Sequence, residues 1–113
     1  MANTFKVKTK AGVGTSITTV YTVPSSTTTI VLGLIVGNVT GSAVNATVHV
    51  ESDTSDTETN GNIELVTNAP IPAGGSLEIL SGSKVVMVAG DVLKITSDTA
   101  SSIDAALSFM EIT

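Results

Sequence analysis

The chain has no cysteine, tryptophan or arginine among its 113 residues, and it has only three aromatic side chains. Without cysteine, neither a disulfide nor a thiolate metal site can support the fold. The core must therefore consist of Val, Ile, Leu and Ala, supplemented by threonine methyl groups. Carbohydrate-binding sites usually present exposed aromatic platforms, so a chain limited to Phe5, Tyr21 and Phe109 is an unfavourable candidate for a lectin.

Charge is also scarce, because charged residues make up 13% of the chain, about half of the ~25% usual in soluble domains. The net charge of -5 gives no positive field to attract phosphates, which argues against a nucleic-acid partner. Charged residues are depleted from the cores of protein interfaces, and small domains often gain stability by assembling. We therefore expect a homo-oligomer, with a trimer favoured.

Long hydrophobic runs are absent as well. The longest run, residues 30–36, is interrupted by Gly33 and is far shorter than the ~20 residues that span a bilayer, so no membrane association is expected. The first residues show no basic start followed by an apolar stretch. A secretory signal peptide is therefore not predicted, and synthesis in a cytoplasm is expected.

The chain instead contains short apolar runs separated by Gly, Pro, Ser and Asp turn signals. This spacing predicts eight to nine short strands and leaves no room for a helix with its caps, as in an antiparallel β-sandwich. A jelly roll of two four-stranded sheets is the preferred fold, and an immunoglobulin-like Greek key is the alternative. Residues 15–113 would form one domain, preceded by an arm or edge strand over residues 1–14.

The patterns also predict which side chains point inward. Residues 28–36 show no clean alternation, which is typical of a strand covered on both faces, in the middle of a sandwich or under a partner. The alternation elsewhere places Ile63, Leu65 and Ile79 inward, and Leu80 outward.

The chain offers no grouping for catalysis, and we expect no cofactor, no metal site and no enzyme activity. His49 is the only histidine and has no nucleophile or ligand set beside it in the sequence. The segment from Glu51 to Glu58 supplies carboxylate oxygens, but Glu58 occupies the position where a calcium-binding EF-hand loop needs glycine. A solvated loop is the favoured interpretation of this segment.

Two charged segments are the candidates for partner binding. Three lysines near the N-terminus alternate with Val7 and Thr9, so they point to one side of a strand that either adds to a neighbour, lies on an acidic surface or is simply a frayed end. An acidic segment follows in mid-chain. The candidate partner-binding residues are Lys6, Lys8, Lys10, Glu51, Asp53, Asp56 and Glu58.

The turn and strand-end motifs occur in a distinctive order. The segments are Val20-Tyr21-Thr22-Val23-Pro24, then Ile30-Val31-Leu32-Gly33-Leu34, Ile71-Pro72-Ala73-Gly74-Gly75-Ser76-Leu77, Ala89-Gly90-Asp91-Val92-Leu93 and Phe109-Met110-Glu111-Ile112. From Thr15 onward this order resembles the small all-β virion structural proteins of tailed bacteriophages.

The resemblance implies a non-enzymatic protein of the virion, with many copies in each particle. The preferred role is a capsid decoration, or cement, protein that binds the assembled shell as an oligomer, with the major capsid protein as its partner. A tail, neck or fibre-attachment subunit is the close alternative. A binding module for a glycan or a receptor is the alternative from a different functional class.

Overall fold

A computed structural model describes residues 2–52, 60–80 and 83–113 of the protein. Within these ranges the chain forms nine β-strands and no helix. The strands are β1 (Asn3–Val13), β2 (Thr18–Thr22), β3 (Thr28–Asn38), β4 (Val44–Glu51), β5 (Ile63–Ile71), β6 (Ser76–Glu78), β7 (Val85–Val88), β8 (Val92–Ser97) and β9 (Ile103–Ile112).

The strands form two antiparallel sheets. Sheet I has the order β1-β9-β3-β6, with β7 pairing the other end of β3, and sheet II has the order β2-β8-β4-β5. If β6 and β7 are counted as one interrupted strand, the first strand pairs with the last, the second with the second last, and so on to the β4–β5 hairpin. A long antiparallel hairpin rolled into two sheets in this way is a jelly roll, so the preferred fold is confirmed over the immunoglobulin-like one.

Alternating side chains from both sheets fill the space between them. Val44, Ala46, Val48 and Val50 of β4 are all buried, and the odd-numbered residues of β9 are buried in the same way. This is the period of two that a half-covered strand imposes, because successive side chains point to opposite faces of the sheet. The alternation predicted for these strands is therefore confirmed, and the core is largely aliphatic.

Two predicted orientations are wrong, and the cover predicted for β3 does not come from the sandwich itself. Leu32 and Ile35 are 37% and 44% exposed, so no part of the described chain covers the outer face of β3, and cover by a partner stays a prediction. Ile63 is 54% exposed because it lies at the end of edge strand β5, beside an open groove between β5 and β7. Leu80 is buried rather than outward, because strand β6 ends at Glu78 and the alternation ends with it.

Two turns explain the glycines of the motif series. The Gly75 N–H donates to the Pro72 carbonyl over 2.9 Å, and Gly74 has a φ of +68°, which makes residues 72–75 a type II turn. At the other turn Gly90 has a φ of +93°, and the Asp91 carboxylate accepts the Val88 N–H at 3.0 Å. Both turns therefore need glycine for a left-handed backbone conformation.

Candidate functional site

The outer face of sheet I carries an extended surface rich in apolar side chains. Cross-strand partners in an antiparallel pair point to the same face, so the register of β1, β9, β3 and β7 identifies which side chains lie there. Several of them are among the most exposed hydrophobic residues of the protein, including Phe5 at 71% and Val7 at 64%. We call this surface the apolar face; it comprises Phe5, Val7, Ile30, Leu32, Ile35, Val86, Ala106 and Met110.

The apolar face is large enough to be an interface. Three strands of about ten residues, with the short β6 and β7 beside them at about 4.8 Å spacing, give a whole sheet face of about 20 Å by 35 Å, or roughly 700 Å². Most of its side chains are apolar, although Thr9, Ser108 and Glu78 lie among them. A stable protein–protein interface buries about 800 Å² on each partner, whereas scattered exposed hydrophobic residues need no explanation. A largely apolar sheet face of this size is typical of a site that another protein covers.

The outer face of sheet II is polar by comparison. There His49 Nε2 lies 3.1 Å from Thr96 Oγ1, and His49 Nδ1 lies 3.8 Å from a carboxylate oxygen of Glu64. Beside them Lys94 Nζ binds Glu51 at 2.9 Å. The prediction that His49 lies on a polar strand face is confirmed, and this face of the sandwich suits contact with water.

The three N-terminal lysines lie on the opposite side of β1 from Phe5 and Val7. Lys6, Lys8 and Lys10 pair with Phe109, Leu107 and Ala105, which are core residues of β9. Because β1 is the edge strand of sheet I, the lysines project into an open groove between β1 and β2 instead of into the core. This lysine groove has a volume of about 560 Å³ and is also lined by Thr19, Tyr21 and Glu111.

A hydrogen-bond network closes the floor of the lysine groove. Glu111 of β9 is buried, and its two carboxylate oxygens accept from Lys6 Nζ at 2.7 Å and from the Tyr21 hydroxyl at 2.5 Å. The Tyr21 oxygen also lies 2.8 Å from Thr29 Oγ1, and the Tyr21 ring packs on Phe109 with ring centroids 4.4 Å apart. Because Tyr21 belongs to sheet II and Glu111 to sheet I, the network joins the two sheets.

The network also changes the acidities of its members. The hydrogen bond from Lys6, followed by that from Tyr21, holds the pKa of Glu111 below its usual value despite its burial. Burial, followed by the bond to Glu111, raises the pKa of Tyr21 to about 12. At neutral pH Glu111 is therefore an ionised acceptor and Tyr21 a protonated donor, and each serves to hold the other in place.

The predicted partner-binding residues do not form one site. The three lysines meet in the lysine groove, and their strand is paired along its length with β9, so the interpretation as a frayed end is wrong. Glu51 belongs to the other sheet, where it binds Lys94. The remaining acidic candidates, Asp53, Asp56 and Glu58, lie outside the described residues.

Sequence reasoning missed Tyr21, Glu111 and the apolar face. Nothing local in the sequence connects residues 21 and 111, because only the non-local pairing of the strands brings them together. The apolar face did leave a signal, since residues 28–36 are apolar at inward and outward positions alike. The predicted cover by a partner remains the interpretation that accounts for this pattern.

Among residues 2–52, 60–80 and 83–113, no cluster of side chains has the composition of a metal site. The same ranges contain no helix that could span a membrane. Comparison with protein-family models, with curated proteins and with solved structures finds no match for this chain.

Proposed function

We propose that this protein is a non-enzymatic structural subunit of a bacteriophage virion, and most simply a capsid decoration protein that binds the assembled shell. In this role it works as a homo-oligomer in many copies and has the major capsid protein as its partner. The ordered turn motifs resemble those of small virion proteins of tailed phages, which suggests that the particle is a phage virion. The unequal outer faces of its two sheets support the role of a building block.

The difference between the two outer faces is the observation that carries the proposal. One sheet presents the apolar face, on an outer surface of roughly 700 Å², while the other presents hydrogen-bonded polar and charged side chains around His49. A subunit of this kind buries one side against protein and leaves the other in water. Copies that associate through the apolar face present several shell contacts at once, so a modest contact of each copy with the shell is sufficient for stable attachment.

Co-sedimentation tests the proposal. The purified protein is mixed with assembled, expanded shells of the virus that encodes it, and separately with unassembled shell subunits. Binding to shells alone is expected, because the decorated surface exists only after assembly. Equal binding to shells and to free subunits would contradict a decoration role, as would no binding to either.

The position of the protein on the intact particle separates decoration from the alternative locations. A decoration protein gives uniform antibody labelling over the head in electron micrographs. Labelling confined to one vertex or to the tail would instead assign the protein to the neck, the tail or a fibre attachment. The apolar face would serve ring or tube assembly equally well there, so this image is the decisive one.

A further inference from the structure

The outer edge of β1 has a backbone hydrogen-bonding capacity, and two lysines, that residues 2–52, 60–80 and 83–113 leave without a partner. Ala2 and Thr113 exchange two backbone hydrogen bonds, of 3.1 and 3.0 Å. In an antiparallel ladder such hydrogen-bonded pairs alternate with non-hydrogen-bonded pairs. With the observed register, Lys6 and Lys8 therefore direct their backbone groups toward β9, whereas Phe5, Val7 and Thr9 direct theirs toward the free edge.

The side chains of this edge form two rows. The lysines point into the lysine groove, and Phe5 and Val7 point to the apolar face. Alternate residues on one side of a strand lie about 6.6 to 6.8 Å apart. The edge thus presents a row of positive charges on one side and a row of apolar side chains on the other. Between the two rows are backbone groups that no strand of the described ranges pairs with.

Only the first lysine has a carboxylate partner within the described residues. Lys6 binds Glu111, which lies on the neighbouring strand β9, whereas neither Lys8 nor Lys10 has an ion pair in this part of the chain. The Lys6–Glu111 contact shows the geometry in which a lysine of β1 meets a carboxylate presented by an adjacent strand. Lys8 and Lys10 offer the same contact to a strand added on the other side.

We propose that the β1 edge binds an extended segment of a partner protein in which acidic and apolar residues alternate, by addition of a strand to sheet I. Such strand addition takes its affinity from main-chain hydrogen bonds and its specificity from alternate side chains. Acidic residues of the segment lie opposite the lysines, at non-hydrogen-bonded positions where cross-strand side chains approach most closely. Apolar residues of the segment extend the apolar face beside Phe5 and Val7.

A second copy of β1 fits this edge poorly. In an antiparallel pair of two β1 strands joined at these edges, Phe5, Val7 and Thr9 of one copy would form hydrogen-bonded pairs with the same set of residues in the other. The lysines of one copy would then lie opposite the lysines of the other, on the same side of the pair. Like charges directly opposite each other are destabilising in a sheet. The lysines therefore select against self-pairing and in favour of an acidic strand, whichever particle the protein belongs to.

A designed peptide tests this inference without prior identification of the partner. The probe is a synthetic nine-residue peptide in which Glu alternates with Val, and its control is a scrambled isomer with the acids adjacent. Binding is followed by the amide NMR signals of the full chain and by their hydrogen exchange. The expected result is binding of the alternating peptide, with new protection at the amides of Phe5, Val7 and Thr9.

Charge-reversal variants test the role of the lysine row. Lys8→Glu should weaken binding of the alternating peptide about three- to tenfold, since one favourable exposed ion pair becomes a repulsion. Lys84→Glu is the matched control, because Lys84 is also exposed but does not line the lysine groove, and it should leave binding unchanged. Lys6 is left intact because it holds Glu111.

A proline variant tests the strand pairing itself. Val7→Pro removes a free-edge N–H without removing a bond to β9, so the variant should fold and should no longer bind the peptide. If it does not fold, the two charge-reversal variants still decide the matter.

Several outcomes would overturn the inference. They are no binding by the native chain, equal binding of the scrambled isomer, equal effects of the two charge reversals, or preferential binding of a DNA oligonucleotide in the lysine groove. In each of these cases the lysines only protect the edge from aggregation or serve another ligand. The proposed virion role would stand, because it rests on the apolar face and is tested on shells.

Discussion

The Glu111 carboxylate accepts a hydrogen bond of 2.5 Å from the Tyr21 hydroxyl across the sandwich, which links β9 of sheet I to β2 of sheet II. The contact unites two motifs of the ordered series, the strand end at Tyr21 and the acidic residue near the C-terminus. Two other motifs of the series meet within sheet II, where the Val23 N–H donates to the Asp91 carbonyl at 2.9 Å. Residues of the motif series thus contact one another both between the sheets and within one sheet.

Glu111→Gln should lower the free energy of unfolding at neutral pH by about 1–3 kcal/mol, because a buried acceptor of two hydrogen bonds loses its charge. The folded pKa of Glu111 is lowered, so its ionisation stabilises the fold above the ordinary glutamate pKa of about 4.3, and this contribution is lost as the pH falls through the lower folded value. Urea unfolding at neutral pH and at about pH 3 measures both effects.

The difference between native and variant chains should therefore shrink in acid. Glu78→Gln is the matched control, since Glu78 is exposed on β6, and it should change stability by less than about 0.5 kcal/mol. Equal losses in the two variants at neutral pH would contradict a special role for Glu111.

Tyr21→Phe should lower stability by about 1–2 kcal/mol, because Glu111 loses a donor while the packing on Phe109 is kept. The folded pKa of Tyr21 is raised to about 12, so its contribution is fully present below the unfolded value of about 10 and is lost as the pH rises from there through 12. The protein has one tyrosine and no tryptophan, so its ultraviolet absorbance reports this titration directly.

Thr29→Val is the comparison for the tyrosine variant, because it removes the other hydroxyl of the network and leaves the Tyr21–Glu111 bond in place. In the Thr29→Val variant the Tyr21 hydroxyl should still titrate with a midpoint well above the ordinary tyrosine pKa of about 10. An ordinary midpoint in the folded native chain would show that the Tyr21 hydroxyl is not held as described.

Ile35→Glu should dissociate the expected homo-oligomer. Ile35 lies on the apolar face, and a carboxylate buried there without a partner costs several kcal/mol of association free energy. Ile17→Glu is the matched control, because Ile17 is 58% exposed and precedes β2, away from the apolar face. Sedimentation velocity should show smaller particles for Ile35→Glu alone, and the same distribution for both variants would contradict assembly through the apolar face.

Gly74→Ala should lower the free energy of unfolding by about 1 kcal/mol, because an L-residue at a φ of +68° is strained. Gly41→Ala serves as its control, since Gly41 has no positive φ and a Cβ there would meet nothing within 4 Å. Thermal unfolding of both variants checks the prediction, and an equal melting temperature for the two would contradict the type II turn.

The sequence predicts the inside of the sandwich well where a strand is covered along its whole length. The alternation in β4 and β9 marks core side chains because both strands lie within a sheet and one face of each is buried. The same reasoning fails at Ile63 and Leu80. Ile63 is the first residue of edge strand β5, and Leu80 lies beyond the last residue of β6. An alternation of period two does not indicate where along a strand the opposite sheet stops covering it.

The lysine groove shows a different limit of prediction. The alternation of Lys6, Lys8 and Lys10 indicates correctly that they share one side of a strand. Which side that is depends on pairing with β9, about a hundred residues later in the chain, and no local pattern encodes that register. The sequence therefore does not reveal that the lysines lie on the inner side of sheet I, where the edge position of β1 opens that side into the lysine groove.

The pairing of the first strand with the last also determines when this protein is able to fold. Strand β9 lies between β1 and β3, so sheet I lacks a central strand until residues 103–112 have been synthesised. During synthesis the earlier strands of this sheet leave the ribosome without their partner, and contacts of such long sequence separation form slowly. Sheet I is thus completed only after β9 has been synthesised, and until then the apolar strand β3 is exposed to aggregation without its partner.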